Sequence, residues 1–564
     1  MHTLNRQLSR FAFVICLLSL LLPPVSTTCF AQKSDLGVVA TADSLSTQIA
    51  YDILNRGGNA IDAGVAAMFA LTVTQPYAAS IGGGGLMLIW NNQTHEATMI
   101  DFRSVAPKTI DPAIFYKDQE TFHIYTKYGY QSICVPGLVA GATKVLALQG
   151  TMTMKELLEP AIKLASNELD VTEALTNLIT ENYDKLESNN ASSTVFLPDW
   201  FPLKKDQKFK REDLALTLNL LSSRGGTVFY HGEIATDICS EVNRNNGFLQ
   251  LADFTSYSAE WRKPASSTYR NFEIFSPPPP ASDGVALIEL LKILEKFDLK
   301  KFEFNRGQYI HLVVEAMKLV HEDQEKIWKN LADFDEHRFQ PALSQENILK
   351  KASELDSSRV KAVLRQDTTR TPREIPGSTH ISIVDRNGNA VAISLSLNSI
   401  FGSGVTIPKY GILLNNSMRS FSADASDVNA IKPGKRPKTN LTPTLVIKNG
   451  RPFLVLDGNG NEPIISMLAH IIIGVVDFNL SLKDAITAPR FHYNYDTDTI
   501  EMETRIEAET IEYVKRLGHK INLRKDYDVF FGSAQGIFFD PADANSYAAN
   551  DVRHNGVVYI DYQN

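Results

Sequence analysis

The first half of the chain carries a mainly helical pattern of hydrophobic and polar positions. Its periodicity predicts four helices, at residues 44–54, 60–72, 285–297 and 308–328. A glycine run at 81–85 leads into the apolar residues 86–90, which predict a buried strand. No Lys-Ser or Lys-Thr follows this run, and dinucleotide-type glycine spacing is absent. We therefore interpret it as close backbone packing and not as a phosphate-binding loop.

After residue 378 the pattern changes to strands. Residues 380–385 and 391–397 alternate on either side of an Asn-Gly turn, which predicts a β-hairpin. A second hairpin is predicted from 445–447 and 453–456, and a buried helix from 464–478. The second hairpin is apolar on both faces, so its sheet needs cover on both sides. These strands therefore predict a layered α/β core.

Residues 345–378 differ from both halves. They are rich in Lys, Arg, Glu, Asp and Ser, with prolines at 372 and 376, which predicts an exposed linker. The linker ends where the buried strand is predicted to begin, at Thr379. A threonine that is the first residue of a chain is a competent nucleophile, because its own α-amine takes the hydroxyl proton. The segment is therefore a solvated connection or a processing segment that frees Thr379.

The first 31 residues form a separate unit. Arg6 and Arg10 precede the apolar run 11–22, and small residues lead to Ala31, a pattern typical of a cleaved signal peptide. The run is too short to span a bilayer as a helix. We therefore expect an exported protein, periplasmic or secreted, without a transmembrane segment.

Composition narrows the possible partners. The net charge is −8, which argues against a nucleic acid as partner. Outside the predicted signal peptide two cysteines remain, Cys134 and Cys239, which we interpret as buried free thiols, although one disulfide stays possible. No second histidine follows His321 or His380 at metalloprotease spacing, so no metal and no cofactor are predicted.

Short motifs in a characteristic order run through nearly the whole chain after residue 31. They lie at 57–63, 82–85, 101–103, 135–141, 377–380, 398 with 401–404, 413–416 and 433–437. Together they resemble the γ-glutamyltransferase family, also called γ-glutamyl transpeptidase or glutathione hydrolase. The resemblance implies a four-layer αββα sandwich of the N-terminal-nucleophile hydrolase type.

The resemblance also implies a proenzyme that cuts itself before its nucleophile. Carried over, the cut falls between Ser378 and Thr379 and gives a large subunit, 32–378, and a small subunit, 379–564. Thr379 would attack a γ-glutamyl amide of the glutathione kind and form an acyl-enzyme. The acyl group would then pass to water or to an amino-acid or peptide acceptor.

Several matching positions are implied to support this reaction. Arg103 takes the place of the arginine that pairs with the substrate α-carboxylate, which a guanidinium fork fits well. Ser396 stands where a threonine supports the nucleophile's amine, and Asn398 matches a substrate-binding position. The oxyanion Gly-Gly pair appears as Gly460-Asn461, whose backbone N–H groups would do that work.

Other positions depart from the family pattern. Where the family has an acidic residue for the substrate α-amine, this chain has Ser420, preceded by Arg419; we assign Ser417 and Ser420 to substrate binding. Thr439 and Asn440 replace two adjacent serines and keep hydrogen-bonding groups. A buried ammonium without a carboxylate partner is costly.

The missing acid leaves three hypotheses. The enzyme holds a γ-glutamyl compound mainly through Arg103, or it cleaves a different acyl amide that lacks a free α-amine. The third is a homologue that processes itself with little transferase activity, or an inactive one that acts as a binding protein.

Overall fold

The computed structural model describes residues 37–330, 339–361, 376–460, 463–539 and 546–553. The predicted signal peptide, Asn461 and most of the predicted linker's second half lie outside these residues. The strands are β1 (Gly37–Thr41), β2 (Gly84–Asn91), β3 (Glu96–Asp101), β4 (Leu169–Asp170), β5 (Lys208–Phe209), β6 (Glu260–Arg262), β7 (Ala265–Tyr269), β8 (Phe272–Ser276), β9 (Pro376–Asp385), β10 (Ala390–Ser399), β11 (Thr406–Ile407), β12 (Ile412–Leu413), β13 (Thr444–Lys448), β14 (Arg451–Asn459), β15 (Phe491–Asn494), β16 (Thr499–Glu503), β17 (Ile521–Arg524), β18 (Ser533–Phe539) and β19 (Ser546–Asn550).

The α-helices are α1 (Ser44–Asn55), α2 (Ala60–Thr74), α3 (Gln119–Lys127), α4 (Leu138–Gln149), α5 (Met154–Ser166), α6 (Glu173–Glu181), α7 (Tyr183–Glu187), α8 (Asn190–Phe196), α9 (Glu212–Arg224), α10 (Thr227–His231), α11 (Glu233–Arg244), α12 (Leu251–Thr255), α13 (Ser282–Leu294), α14 (Gly307–Asn330), α15 (Gln345–Glu354), α16 (Ile464–Val476), α17 (Leu482–Thr487) and α18 (Ala508–Arg516). Among the described residues, none of these helices is long and apolar enough to cross a membrane.

Two six-stranded antiparallel sheets form the centre of the molecule. One has the order β1-β9-β10-β2-β3-β6 and the other the order β19-β18-β14-β13-β8-β7. Their facing sides pack together through residues such as Leu86, Ala392, Leu445 and Val455. Because successive strand residues point to opposite faces, the intervening residues of each sheet face outward.

Helices cover both outward faces. On the first sheet, Ile381 and Ile393 belong to one buried cluster with residues of α1, α2, α4 and α5. On the second, Val446 and Leu454 belong to a cluster with residues of α13, α14 and α16. The result is the four-layer αββα sandwich expected from the resemblance, and it explains why strands in both sheets are apolar on both sides.

Most predicted elements are confirmed with small shifts at their ends. The first hairpin is β9–β10, and its β9 begins at Pro376, three residues before the predicted start. The second hairpin is β13–β14. The predicted linker is wrong at its beginning, because α15 starts at Gln345 and buries Ile348 and Lys351. The charged residues at the start of the predicted linker form the polar face of this amphipathic helix.

Both cysteines outside the predicted signal peptide, Cys134 and Cys239, are free and buried, as the sequence interpretation had it. Burial raises the pKa of both thiols, that of Cys239 to about 12, so neither is a reactive thiolate near neutral pH.

We expect acid to destabilise the fold through His470 on α16. Burial, and then the charges of Arg490 and Arg553, lower its pKa to about 3. The unfolded chain takes up this proton near pH 6.5 and the folded one does not. The contribution of His470 to stability is therefore fully present above pH 6.5. Below pH 6.5 this group lowers the free energy of unfolding by about 1.4 kcal/mol per pH unit. Urea unfolding of His470→Asn between pH 6.5 and 5 should show a smaller slope than the parent, whereas the exposed control His231→Asn should not.

Candidate active site

A pocket lies where the start of β2, the ends of β3 and β10, and the loop before β13 meet. Six of the predicted site residues line it: Arg103, Ser396, Asn398, Ser417, Ser420 and Thr439. Its remaining lining is Gly84, Ser104, Pro437, Lys438 and Leu441. Asn440 is not in the lining, but its Nδ2 donates to the carbonyl oxygen of Gly460 at 2.6 Å. Asn461 lies outside the described residues.

Gly84 allows the backbone that carries Arg103 to approach β2 closely. A Cβ at Gly84 would lie 2.6 Å from the carbonyl oxygen of Phe102 and 2.8 Å from Cα of Arg103. No side chain larger than hydrogen fits this gap without movement of the backbone. The interpretation of the glycine run as close packing is confirmed at this position.

Asp101 holds the Arg103 guanidinium in place. Nε and Nη2 of Arg103 donate to the two carboxylate oxygens of Asp101 at 3.0 and 2.7 Å, and Nη1 donates to the carbonyl oxygen of Pro437 at 2.8 Å. A guanidinium has five N–H donors, so two remain for a ligand in the pocket. Asp101 was not predicted as a site residue, although it lies two residues before Arg103 in the motif at 101–103.

Asp101 is the shared anion of three arginines. Arg262 Nε lies 3.1 Å and Arg436 Nε 3.6 Å from its oxygens, in addition to Arg103. Burial alone would raise the pKa of Asp101, but the charges of Arg103, Arg436 and Arg262 lower it well below its usual value. The carboxylate is therefore charged over the whole physiological range, and the cationic wall of the pocket stays fixed.

Ser396 contacts the backbone just before the predicted cleavage site. Its Oγ donates to the carbonyl oxygen of Gly377 at 3.0 Å and accepts from the backbone N–H of Asn398 at 2.8 Å. The β9–β10 register shifts between Ser396 and Asn398, and Asn398 has a φ of +81°. This bulge turns the Asn398 side chain into the pocket.

Ser420 occupies the region expected to bind the substrate α-amine. Its Oγ donates to Oδ1 of Asn398 at 2.5 Å, and Nδ2 of Asn398 donates to the carbonyl oxygen of Asn416 at 3.1 Å. None of the residues that line the pocket in the described parts of the chain is a carboxylate, while Arg103 and Lys438 are cations. The lining therefore favours an anionic or neutral ligand over a cationic one.

Strand alternation separates Ser378 from Thr379. Ser378 lies directly opposite Ser396 in the register, on the face that looks toward the second sheet; Ser396 lines the pocket and Ser378 does not. Thr379 points the other way, as does Ile381, which packs against the helices. Thr379 is 2% exposed, and its Oγ1 has no hydrogen-bond partner among the described residues. Ser378 and Thr379 therefore lie on opposite faces of β9, and Ser378 shares its face with Ser396.

A second cluster of candidate ligands lies where α14 meets the loop between α18 and β17, and none of its residues lines the pocket. Donor atoms of His311, Glu315 and His519 lie within 4.8 Å of one another. His311 Nδ1 is 2.7 Å from His519 Nε2, and Lys318 Nζ is 2.7 Å from Glu315 Oε1. A hydrogen bond and an ion pair with a buried ammonium thus occupy these donors, which disfavours a second cation there.

Comparisons with known proteins agree with this geometry. Residues 46–560 match the family model described as Gamma-glutamyltranspeptidase. The glutathione hydrolase proenzyme of Escherichia coli (strain K12) is 33% identical over 94% of this chain and 94% of its own length. The Acylase ACY 1 proenzyme of Pseudomonas sp. (strain SE83) is 30% identical over 86% of this chain and 87% of its own length.

Solved structures show the same relationship. Cephalosporin acylase from Bacillus halodurans superposes with a TM-score of 0.84 at 25% identity, covering 96% of this chain and 99% of that one. The Helicobacter pylori gamma-glutamyltranspeptidase superposes with a TM-score of 0.54 at 30% identity, covering 62% of this chain and 100% of that one. The chain belongs to the gamma-glutamyltranspeptidase family.

Proposed function

We propose that the chain is an exported proenzyme that cuts itself between Gly377 and Ser378, and that Ser378, not Thr379, is its nucleophile. The observation that carries this proposal is the contact of Ser396 Oγ with the Gly377 carbonyl oxygen, 3.0 Å long and directly beside Ser378 in the register. The curated relatives are proenzymes by name, which supports a precursor that is cleaved into subunits. The signal-peptide pattern of the first 31 residues supports export.

Self-cleavage and catalysis then use the same hydroxyl. Ser378 Oγ attacks the carbonyl carbon of Gly377, and Ser396 stabilises the negative charge that develops on the oxygen. The C–N bond breaks, the Ser378 nitrogen gains a proton, and water hydrolyses the resulting ester. The new α-amine of Ser378 can serve as the base for its own hydroxyl in later turnovers.

Arg103 supports an acyl donor that ends in a carboxylate. Its two remaining N–H groups face a pocket lined by hydroxyl and amide groups, and Asp101 fixes their direction. A γ-glutamyl amide of the glutathione kind, which the relatives' name suggests, satisfies this requirement. The acyl-enzyme then passes its acyl group to water or to an amino-acid or peptide acceptor.

A second candidate is an acyl donor of the same length without an α-amine. The observation that favours it is the Ser420–Asn398 hydrogen bond, which stands where an acidic residue was expected. An ammonium placed there meets hydroxyl and amide groups but no carboxylate, with Arg103 and Lys438 in the same lining. A family relative named as an acylase is consistent with this candidate.

The position of the cut tests the nucleophile. We expect the mature small subunit to begin at Ser378, one serine longer than a subunit that begins at Thr379, by intact mass and N-terminal sequencing. Ser378→Ala should stay as one uncut chain, because the attacking hydroxyl is gone. Thr379→Ala is the matched control and should be cut at the same bond. A small subunit that begins at Thr379 would contradict the proposal.

The acyl group is tested with two anilides, γ-glutamyl and its α-desamino analogue glutaryl. We expect the parent to hydrolyse the glutaryl compound at least about tenfold better in kcat/KM, because its pocket lacks a partner for an ammonium. Ser420→Asp should reverse this preference by supplying that partner, whereas Ser420→Asn, which adds no charge, should not. Preferred cleavage of the γ-glutamyl compound by the parent would contradict the second candidate and support the first, a γ-glutamyl donor.

The role of Asp101 is tested by Asp101→Asn, which keeps its shape and removes its charge. We expect kcat/KM for either anilide to fall by roughly tenfold or more, about 1.4 kcal/mol, because Arg103 loses the partner that orients it. Glu260→Gln is the matched control, since Glu260 also pairs with Arg262 and Arg436 but is half exposed and does not contact Arg103. Equal losses in the two variants would mean that general charge, and not the orientation of Arg103, is responsible.

A further inference from the structure

A buried polar group lies between the two sheets beside the cleavage site. His380 of β9 and Asp457 of β14 are 1% and 0% exposed, and His380 Nδ1 lies 3.0 Å from Asp457 Oδ2. Ser394, opposite His380 in the register, donates its hydroxyl to the same carboxylate oxygen at 2.5 Å. These three polar side chains are placed in a layer that is otherwise filled mainly by Leu, Ala and Val.

The Asp457 carboxylate has contacts on both of its oxygens. Its Oδ1 accepts from the backbone N–H of Gly458 at 2.7 Å, and among the described residues His380 is its ion-pair partner. A fully buried carboxylate without lysine or arginine is expensive unless hydrogen bonds and a proton on its neighbour compensate it. Such a group is rare in a core without a functional reason.

The contact also selects which nitrogen of His380 is available. Nδ1 lies 3.0 Å from Asp457 Oδ2 without a hydrogen bond of normal geometry among the described residues, and this contact favours the tautomer with the hydrogen on Nδ1 and the lone pair on Nε2. Nε2 has no hydrogen-bond partner among the described residues. The arrangement leaves a buried, oriented imidazole with one basic nitrogen, as in sites where a carboxylate orients a histidine base.

His380 also lies on the same side of β9 as Ser378. The two residues are separated by one position, so their side chains share a face, with their Cα atoms roughly 7 Å apart along the strand. No direct hydrogen bond joins the two side chains among the described residues, so a proton would pass between them through one water molecule or after rotation of a side chain.

Self-cleavage requires a base that the mature enzyme does not. Before the cut, the Ser378 nitrogen is part of a peptide bond and has no lone pair to offer, so the α-amine cannot take the hydroxyl proton. The reaction must move one proton from Ser378 Oγ to the Ser378 nitrogen while the O–C bond forms and the C–N bond breaks.

We propose that His380, oriented by Asp457, carries this proton during self-cleavage. Nε2 accepts the proton from Ser378 Oγ as the oxygen attacks the Gly377 carbonyl carbon, and it returns the proton to the departing nitrogen. This shift of the Gly377 acyl group from nitrogen to oxygen needs no other reactant and leaves the histidine in its starting form, and water then hydrolyses the ester. Asp457 is a positioning residue that acts through His380. This role rests on the proposed cut between Gly377 and Ser378.

The experiment follows the conversion of freshly made full-length precursor to subunits by denaturing electrophoresis, from pH 5 to 9. In the parent, the cleavage rate should rise with pH and then level off, because Nε2 must be unprotonated to accept the proton. His380→Asn keeps an N–H near the Nδ1 position for Asp457 but removes Nε2. We expect it to slow cleavage by about a hundredfold and to abolish the rise. Asp457→Asn should slow cleavage less and alter the pH profile.

Ser394→Ala is the matched control, because it removes a hydrogen bond to Asp457 without touching the proposed proton path. It should keep the parental pH profile. Parental rate and profile in His380→Asn would overturn the role of His380, and so would a parental rate that is flat with pH. If circular dichroism shows that a variant does not fold, the pH dependence of the parental cleavage rate alone decides whether His380 has this role. The proposed cut is judged separately, since its failure is seen as normal cleavage of Ser378→Ala.

Discussion

The pairing of β9 with β10 is the constraint on which the site depends. A strand shows alternate residues to opposite faces, so a register change of one residue would exchange the two sets. The observed register puts Ser378 opposite Ser396, which lines the pocket, and sends Thr379 into the helix-covered core. The proposed choice of Ser378 over Thr379 therefore rests on geometry and not on residue type.

The charge distribution around Asp101 is the second feature that determines the geometry of the site. One buried carboxylate between three arginines fixes the direction of Arg103 and holds the wall formed by β3 and the loop before β13 together. Removing one charge from such a network leaves the others uncompensated in a low dielectric. The network thus holds the Arg103 guanidinium in one direction.

Local signals were enough for most of the fold but not for the chemistry. The Asn-Gly turns and the alternation on either side of them gave both central hairpins, because register and turn are short-range properties. The linker was misjudged because α15 is an amphipathic helix whose charged face dominates its composition. The sequence motifs pointed to Thr379, whereas the faces of β9 favour the proposed Ser378, because motif order does not show which face a strand residue occupies.

Cutting the chain before Ser378 would also change the charge of the site. The new α-amine would appear close to Ser396 and the pocket that holds Arg103 and Lys438, with no carboxylate in the described lining. Nearby positive charges disfavour a further ammonium, so the neutral amine is favoured. That neutral form is the one that can accept a proton from the Ser378 hydroxyl. Under the proposed cut, a serine in place of an acid at position 420 would have two consequences: it would weaken binding of an ammonium on the substrate, and it would favour the basic form of the enzyme's own amine.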